Sequence, residues 1–371
     1  SFNTQQKEVQ RFDSANVDLT KTALFLNRIM AFMMPTMMLI MNGVTLLILW
    51  VGARQIDAGS LQVGDMLAFM QYTMQIIMSF LMISMMFVML PRASVSDQRI
   101  HEVLDTDLTV TDPSAPQHFD PKQKGLLEFR DVTFRYPGAE DDVLRNISFT
   151  AQPGLTTAII GSTGSGKSTL VDLVCRFYDV TGGSIHINGT DIRNVTQKEL
   201  REKIGYVPQH GVLFSGTIES NLKYADENAD DGDIRQAAVI AQAMDFITEK
   251  PEGFASSISQ GGANVSGGQK QRLSIARALV KKPEIYIFDD SFSALDYQTD
   301  AALRRALKEN TENATVLIVA QRVATIMHAE QIIVLDQGRI ETIGTHRELL
   351  ENSDVYREIA SSQLSKEELV S

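Results

Sequence analysis

Gly161-Ser162-Thr163-Gly164-Ser165-Gly166-Lys167-Ser168 decides the reading of this chain. The stretch fits G-x-x-x-x-G-K-[ST] and stands between an apolar strand-like run, Thr157-Ala158-Ile159-Ile160, and a helical run from Lys167 to Tyr178. Strand, glycine-rich turn and helix in that order form a cradle for nucleotide phosphates. The glycines let backbone N–H groups curl around an anion, and the helix N-terminus adds positive potential. Lys167 reaches the β- and γ-phosphates, Ser168 offers a hydroxyl to Mg²⁺, and Thr169 counts with the same nucleotide-binding set.

Downstream, the apolar run Ile285-Tyr286-Ile287-Phe288 ends in Asp289-Asp290, which places the Asp289 carboxylate to hold Mg²⁺. Between the two elements lies Asn264-Val265-Ser266-Gly267-Gly268-Gln269-Lys270-Gln271-Arg272, followed by the helical run Leu273 to Leu279. Ser266 and two glycines at a helix start leave N–H groups free for a second phosphate contact. One chain then has two phosphate devices and one P-loop. Either both converge on one nucleotide, or the second serves a nucleotide held by another chain. From Leu126 to about Leu350, short β-rich runs (126–130, 156–161, 285–289, 315–320, 332–335) alternate with helical stretches, which predicts an α/β domain around a mainly parallel sheet.

The N-terminal third is a different material. Of the 16 methionines, 14 fall between Met30 and Met89. Residues 29–53 and 66–91 carry no ionisable group except the phenol of Tyr72. Each run exceeds the ~20 apolar residues needed to cross ~30 Å of hydrocarbon and predicts a transmembrane helix, whereas core helices of soluble domains are shorter and show a polar face. Lys7, Arg11, Lys21 and Arg28 precede the first span, Arg92 and Arg99 follow the second, and the loop Gly52 to Asp65 holds only Arg54, so both outer ends should face the cytoplasm. Pro35 and Pro91 predict local bends or are merely tolerated. The methionines recur at helical spacing, which suits lipid contact and packing or a permissive surface for apolar ligands. Past Arg92 a polar helix runs through Val103-Leu104, and Asp112-Pro113-Ser114-Ala115-Pro116 and Pro121-Lys122-Gln123-Lys124-Gly125 then read as a linker. The chain therefore divides into 1–110 (membrane region), 111–125 (linker), 126–350 (nucleotide-binding domain) and 351–371 (terminal helix).

A net charge of −12 over 371 residues opposes a nucleic-acid partner, which would need clustered Lys and Arg. Cys175 is the one cysteine, inside an apolar run, and reads as a buried thiol. His101, His118, His186, His210, His328 and His346 are scattered without ligand spacing.

Val265-Ser266-Gly267-Gly268-Gln269 resembles the signature sequence of ATP-binding cassette (ABC) transporters, and 126–350 as a whole resembles their nucleotide-binding domain. That resemblance implies a RecA-like core with a helical subdomain, ATP and Mg²⁺ as ligands, and two domains meeting head to tail so that each ATP lies between one chain's P-loop and the other chain's signature. Tyr136, in Val132-Thr133-Phe134-Arg135-Tyr136-Pro137, is similar to the aromatic that stacks on adenine. Gln209, in Tyr206-Val207-Pro208-Gln209, is similar to the glutamine that touches Mg²⁺ and answers to the membrane domain. Ser293-Ala294-Leu295-Asp296 resembles the D-loop. The two spans resemble the last two of six helices in a type IV, multidrug-like exporter, with Gly59 to Met66 as the external turn. The first four helices are then expected outside this chain, as in a fragment.

Two positions depart from that pattern. Asp290 stands where strongly hydrolysing members usually carry Glu, and Gln321 stands where they usually carry a switch His. A carboxylate one methylene shorter is set back from the attacking water, which a general base must approach to ~2.6–3.2 Å, and losing that help costs about 10²–10⁴ in rate. Gln321 donates a hydrogen bond but cannot become cationic. Gln260 also replaces a usual Glu. With Ser266-Gly267-Gly268-Gln269 intact, the resemblance implies the degenerate-site subunit of a heterodimeric exporter of small hydrophobic or amphipathic substrates, residing in a lipid membrane. A homodimeric exporter of lipid or peptide, a soluble ABC ATPase and a regulatory nucleotide-binding subunit are the competing readings.

Overall fold

The computed structural model describes residues 4–121 and 123–364, which form two compact units divided after Asp107. Lys122 of the expected linker and the last seven residues of the expected terminal helix lie outside the described residues.

The first unit is two long helices, α1 (Gln5–Asp57) and α2 (Val63–Leu104), so each apolar span sits inside a longer helix with polar ends. Side chains along the spans are exposed, Phe32 by 73% and Leu39 by 76%, as lipid-facing residues of a membrane helix are. Hydroxyls that hydrocarbon cannot satisfy turn back onto their own helix: Thr36 Oγ1 donates to the Phe32 carbonyl (2.7 Å), Thr73 to Phe69 (2.7 Å) and Ser84 to Phe80 (2.8 Å). Both helices continue through their prolines, Pro35 and Pro91. Near the connecting turn, Gly52 is the buried residue of α1; a Cβ there would come within 2.8 Å of Met66 Sδ, so glycine permits the close approach. The Arg54 guanidinium lies 5.3 Å from the Trp50 ring, an amphipathic pair suited to a membrane boundary.

Among the described residues the second unit contains twelve strands: β1 (Leu127–Phe134), β2 (Leu144–Ala151), β3 (Thr156–Gly161), β4 (Gly182–Ile187), β5 (Thr190–Asp191), β6 (Ile204–Val207), β7 (Gly216–Thr217), β8 (Ser257–Ile258), β9 (Ile285–Asp289), β10 (Thr315–Val319), β11 (Gln331–Asp336) and β12 (Arg339–Gly344). Six form the central sheet in the order β12-β11-β3-β10-β9-β6, parallel except for the edge strand β12. Alternate residues of the buried strands feed two cores. Ala158, Ile160, Phe288, Val316 and Ile318 pack on one face, and Ile159, Ile285, Ile287, Leu317 and Val319 on the other.

A separate antiparallel sheet, β2-β1-β4-β5, departs from the expectation of one mainly parallel sheet. Its strands β2 and β4 carry short alternating patterns, such as Leu144, Ile147 and Phe149 on the buried side, that are weak signals in isolation. Short helices between β7 and β8, with Leu222, Ile234 and Phe246 buried, pack with the helix Gly267–Val280 as a helical subdomain. The helix after the glycine loop, α3 (Lys167–Val174), is shorter than expected because Arg176 adopts a left-handed backbone (φ 51°).

The segment 109–119, whose prolines read as a linker, is fastened to this unit. Arg176 Nη2 donates to the Thr111 carbonyl (3.0 Å), Gln117 N donates to the Asn194 carbonyl (2.7 Å), and Phe119 is 93% buried within the core. Composition flagged the turns and concealed the anchor.

Candidate nucleotide site

Because β3, β9, β10 and β6 are parallel neighbours, their carboxyl ends lie along one edge of the sheet, where open α/β sheets bind ligands. Gly161 ends β3, Asp289 ends β9, Gln321 follows β10 by two residues and Gln209 follows β6 by two. Parallel pairing thus gathers residues scattered over more than 160 positions of sequence.

The glycine loop has the backbone its sequence requires. Gly164 (φ 84°) and Gly166 (φ 98°) are left-handed, and a Cβ on Gly161 would collide with the Leu335 carbonyl oxygen. Ser162, Thr163 and Gly164 are exposed, whereas Ser165 and Thr169 are buried. Gly166 caps α3 without a side chain, so the first N–H groups of the helix stay available to an anion. Lys167 Nζ folds onto the loop, donating to the carbonyls of Gly161 (3.0 Å) and Ser162 (2.7 Å). Burial lowers the Lys167 pKa from its usual value, and the charges of Asp290 and Asp289 oppose that shift.

Ser168 Oγ donates to Asp289 Oδ1 at 3.1 Å, bringing a hydroxyl and a carboxylate together as hard oxygen donors of the kind Mg²⁺ prefers. Asp289 is 4% exposed, and burial raises its pKa against the bond from Ser168. The donor set therefore fits a magnesium nucleotide. Asp290 takes a left-handed backbone (φ 44°), its N–H donating to the Val319 carbonyl (2.9 Å). Its Oδ2 accepts two amide donors, Gln209 Nε2 at 3.1 Å and Gln321 Nε2 at 2.9 Å. Burial raises the Asp290 pKa, and the Gln209 bond works the other way. The Tyr136 hydroxyl lies 3.0 Å from Thr169 Oγ1, and its ring packs edge-on against Phe134 and Tyr178.

The signature stretch lies elsewhere. Ser266 caps the helix Gly267–Val280 and pairs reciprocally with Gln269: Ser266 Oγ accepts from Gln269 N, and Gln269 Oε1 accepts from Ser266 N at 3.1 Å. Gly267 has open space where a Cβ would stand, and Gly268 faces the Ala294 carbonyl. Among the described residues, none of these four bonds to the glycine loop. Gln260 is exposed in a short turn.

Three supporting residues carried no motif. Gln271 Nε2 donates to the Pro208 carbonyl (3.2 Å) while its Oε1 accepts from Gly211 N (3.1 Å), bracketing Gln209. Gln363, on the helix Asp354–Gln363, donates to the Gln321 carbonyl (2.9 Å) and accepts from Val323 N (2.8 Å), fixing the loop behind Asp290. Asp172 on α3 is half-buried, with its pKa pushed to about 6 by burial and by the Asp289 charge. Sequence offered no signal for them because each acts through a contact made only in the fold. Cys175 is buried, which pushes its thiol up to about 12 and leaves it inert.

Residues 144–293 match the family model described as ABC transporter, and residues 1–80 match the ABC transporter transmembrane region. An ABC transporter ATP-binding protein of Mycobacterium bovis is 43% identical over 98% of this chain and 62% of its own length. A Bacillus subtilis protein named "Probable multidrug resistance ABC transporter ATP-binding/permease protein YheI" is 36% identical over 95% of this chain and 60% of its own. The solved structure of a bacterial Atm1-family ABC exporter with ATP bound superposes with a TM-score of 0.84 at 32% identity, covering 98% of this chain and 64% of that one. The chain thus spans less than two thirds of the length of these relatives.

Proposed function

The chain is an ABC transporter chain, a transmembrane region followed by an ATP-binding domain, and on that premise we propose that it forms half of a membrane exporter driven by ATP. The observation that carries the proposal is the meeting of Lys167, Ser168 and Asp289 at the carboxyl edge of a parallel sheet. Loop N–H groups and Lys167 bind the triphosphate, and Tyr136 receives the base. Ser168, Asp289 and Gln209 would hold Mg²⁺, whose charge offsets that building on the phosphates. Ser266 to Gln269, away from this loop, complete the ATP site of a second subunit, and that subunit's signature completes this one.

The chain's own site is weakly hydrolytic in this proposal. Asp290 is short for a general base, and Gln209 and Gln321 both donate to its Oδ2, which stabilises that oxygen's lone pairs and restrains the carboxylate. Gln321 remains neutral, so no cation forms beside the γ-phosphate. A heterodimer follows, with a partner whose site turns over. The exposed, methionine-rich helices suit small hydrophobic or amphipathic substrates, as the name of the Bacillus relative also suggests.

The test uses the native complex with the partner's catalytic residue inactivated. Asp290→Glu combined with Gln321→His should raise single-turnover hydrolysis at this site by about tenfold or more, within the range general-base help supplies. Lys167→Ala should abolish labelled-ATP binding to this P-loop. Equal hydrolysis by the native and restored sites favours the homodimeric reading, and ATP binding that survives Lys167→Ala rejects the nucleotide site itself.

A further inference from the structure

The strap at 109–112 is held by groups that belong to the nucleotide half of the fold. Arg176 is 3% exposed, and its guanidinium donates to the carbonyls of Thr111, Ile192 and Val195 and to the Asp179 carboxylate. A planar fork of five donors is thereby committed to fixed acceptors, a geometry Lys could not reproduce. Gln197 adds two bonds: its Nε2 donates to the Val110 carbonyl (3.4 Å), and its backbone N–H donates to Asp112 Oδ1 (2.8 Å). Arg176 lies just beyond the end of α3, the helix that begins with Lys167.

Held in this way, Thr109 and Val110 form one side of a cavity of about 440 Å³, and Tyr136, Gly138, Tyr178 and Asp179 contribute others. The Tyr136 hydroxyl, 3.0 Å from Thr169 Oγ1, ties this cavity to the first turn of α3. An aromatic ring, the partly buried Val110 side chain, and Thr109 and Asp179 as polar groups suit a flat heteroaromatic ring with an exocyclic amine.

We propose that residues 109–112 form a wall of the adenine subsite opposite Tyr136, so that a bound base grips the strap joining the two units. The proposal rests on the reading of the glycine loop as an ATP site and extends it to residues outside the ABC motifs. Removal of the base contact weakens ATP binding and leaves the phosphate contacts intact. Occupancy by ATP, in turn, orders the strap.

Two ligands separate the contributions in the full chain within its native complex. Inorganic tripolyphosphate reads the phosphate cradle alone, and ATP reads cradle and base together. Val110→Trp fills the cavity and should weaken ATP binding about tenfold, of the order of one lost base stack, with tripolyphosphate affinity unchanged. That unchanged affinity also shows that the variant is folded. In the unmodified complex, ATP should slow amide hydrogen exchange at 109–112 and tripolyphosphate should not. Val110→Trp that alters neither ligand, or both equally, overturns the proposal, as does equal protection of 109–112 by both ligands. If the unmodified complex binds neither ligand, the ATP reading itself fails; if it binds both and the base effect is missing, only the strap assignment fails.

Discussion

At Asp290 the carboxylate is one methylene shorter than that of a glutamate, and the fold places two amide donors on one of its oxygens. Asp290 at the end of an apolar run was legible in sequence, but its role as shared acceptor was not, because Gln209 and Gln321 come from loops that follow different strands. On α3, four residues beyond Ser168, Asp172 is half-buried and feels the Asp289 charge, and its pKa is raised to about 6 from a usual 3.8. Below pH ~4 both folded and unfolded chains bind that proton, so the group costs nothing. As pH rises toward 6 the unfolded chain releases it first, and stability falls until the folded pKa is passed. Asp172→Asn should therefore flatten the pH dependence of the unfolding midpoint between pH 4 and 6 in nucleotide-free protein and leave it higher than the native one at pH 7. An unchanged slope would place the proton on another group.

Among the elements, those of clear period were the easiest to read. Strands β3 and β9 coincide with their apolar runs, and the two spans lie within α1 and α2. The strap misled because prolines and polar residues mark turns but say nothing of anchoring, and Phe119 is a lone aromatic among them. Its burial within the same apolar cluster as Leu127 and Ile187 means that Phe119→Ala should destabilise the ATP-binding unit by about 3 kcal/mol, the low end for a buried aromatic. Chemical denaturation of the native and variant complexes, followed by tryptophan-independent circular dichroism, measures the difference. A loss under about 0.5 kcal/mol would show the strap to be a surface connection. The sheet β2-β1-β4-β5 was missed for a related reason: antiparallel pairing such as Leu127 with Ala151 and Ile187 is long-range, and each strand alone is an ambiguous pattern.

For the whole molecule, the proposed reading divides each ATP site between two chains, which gives an asymmetric expectation. Ser266→Ala removes the oxygen that accepts from Gln269 N and disturbs the signature that completes the partner's site. Steady-state ATPase of the complex should then fall more than tenfold, whereas Asp290→Asn, at the weak site, should change it less than twofold. The reverse pattern would mean that this chain holds the active site. The residue order alone determined that the chain has two apolar spans, a P-loop between strand and helix, a second glycine motif, and an Asp290 and a Gln321 just beyond two apolar runs, because these features are local and each fits within a few turns or one strand. Tertiary structure alone decided that Asp289 meets Ser168, that Gln209 and Gln321 share Asp290, that Gln363 fixes the Gln321 loop, and that the apparent linker is a docked strap. Each of those depends on which strands become neighbours. Neighbour choice is set by burying two cores on one sheet at once, a sum over many residues that no single stretch of sequence carries.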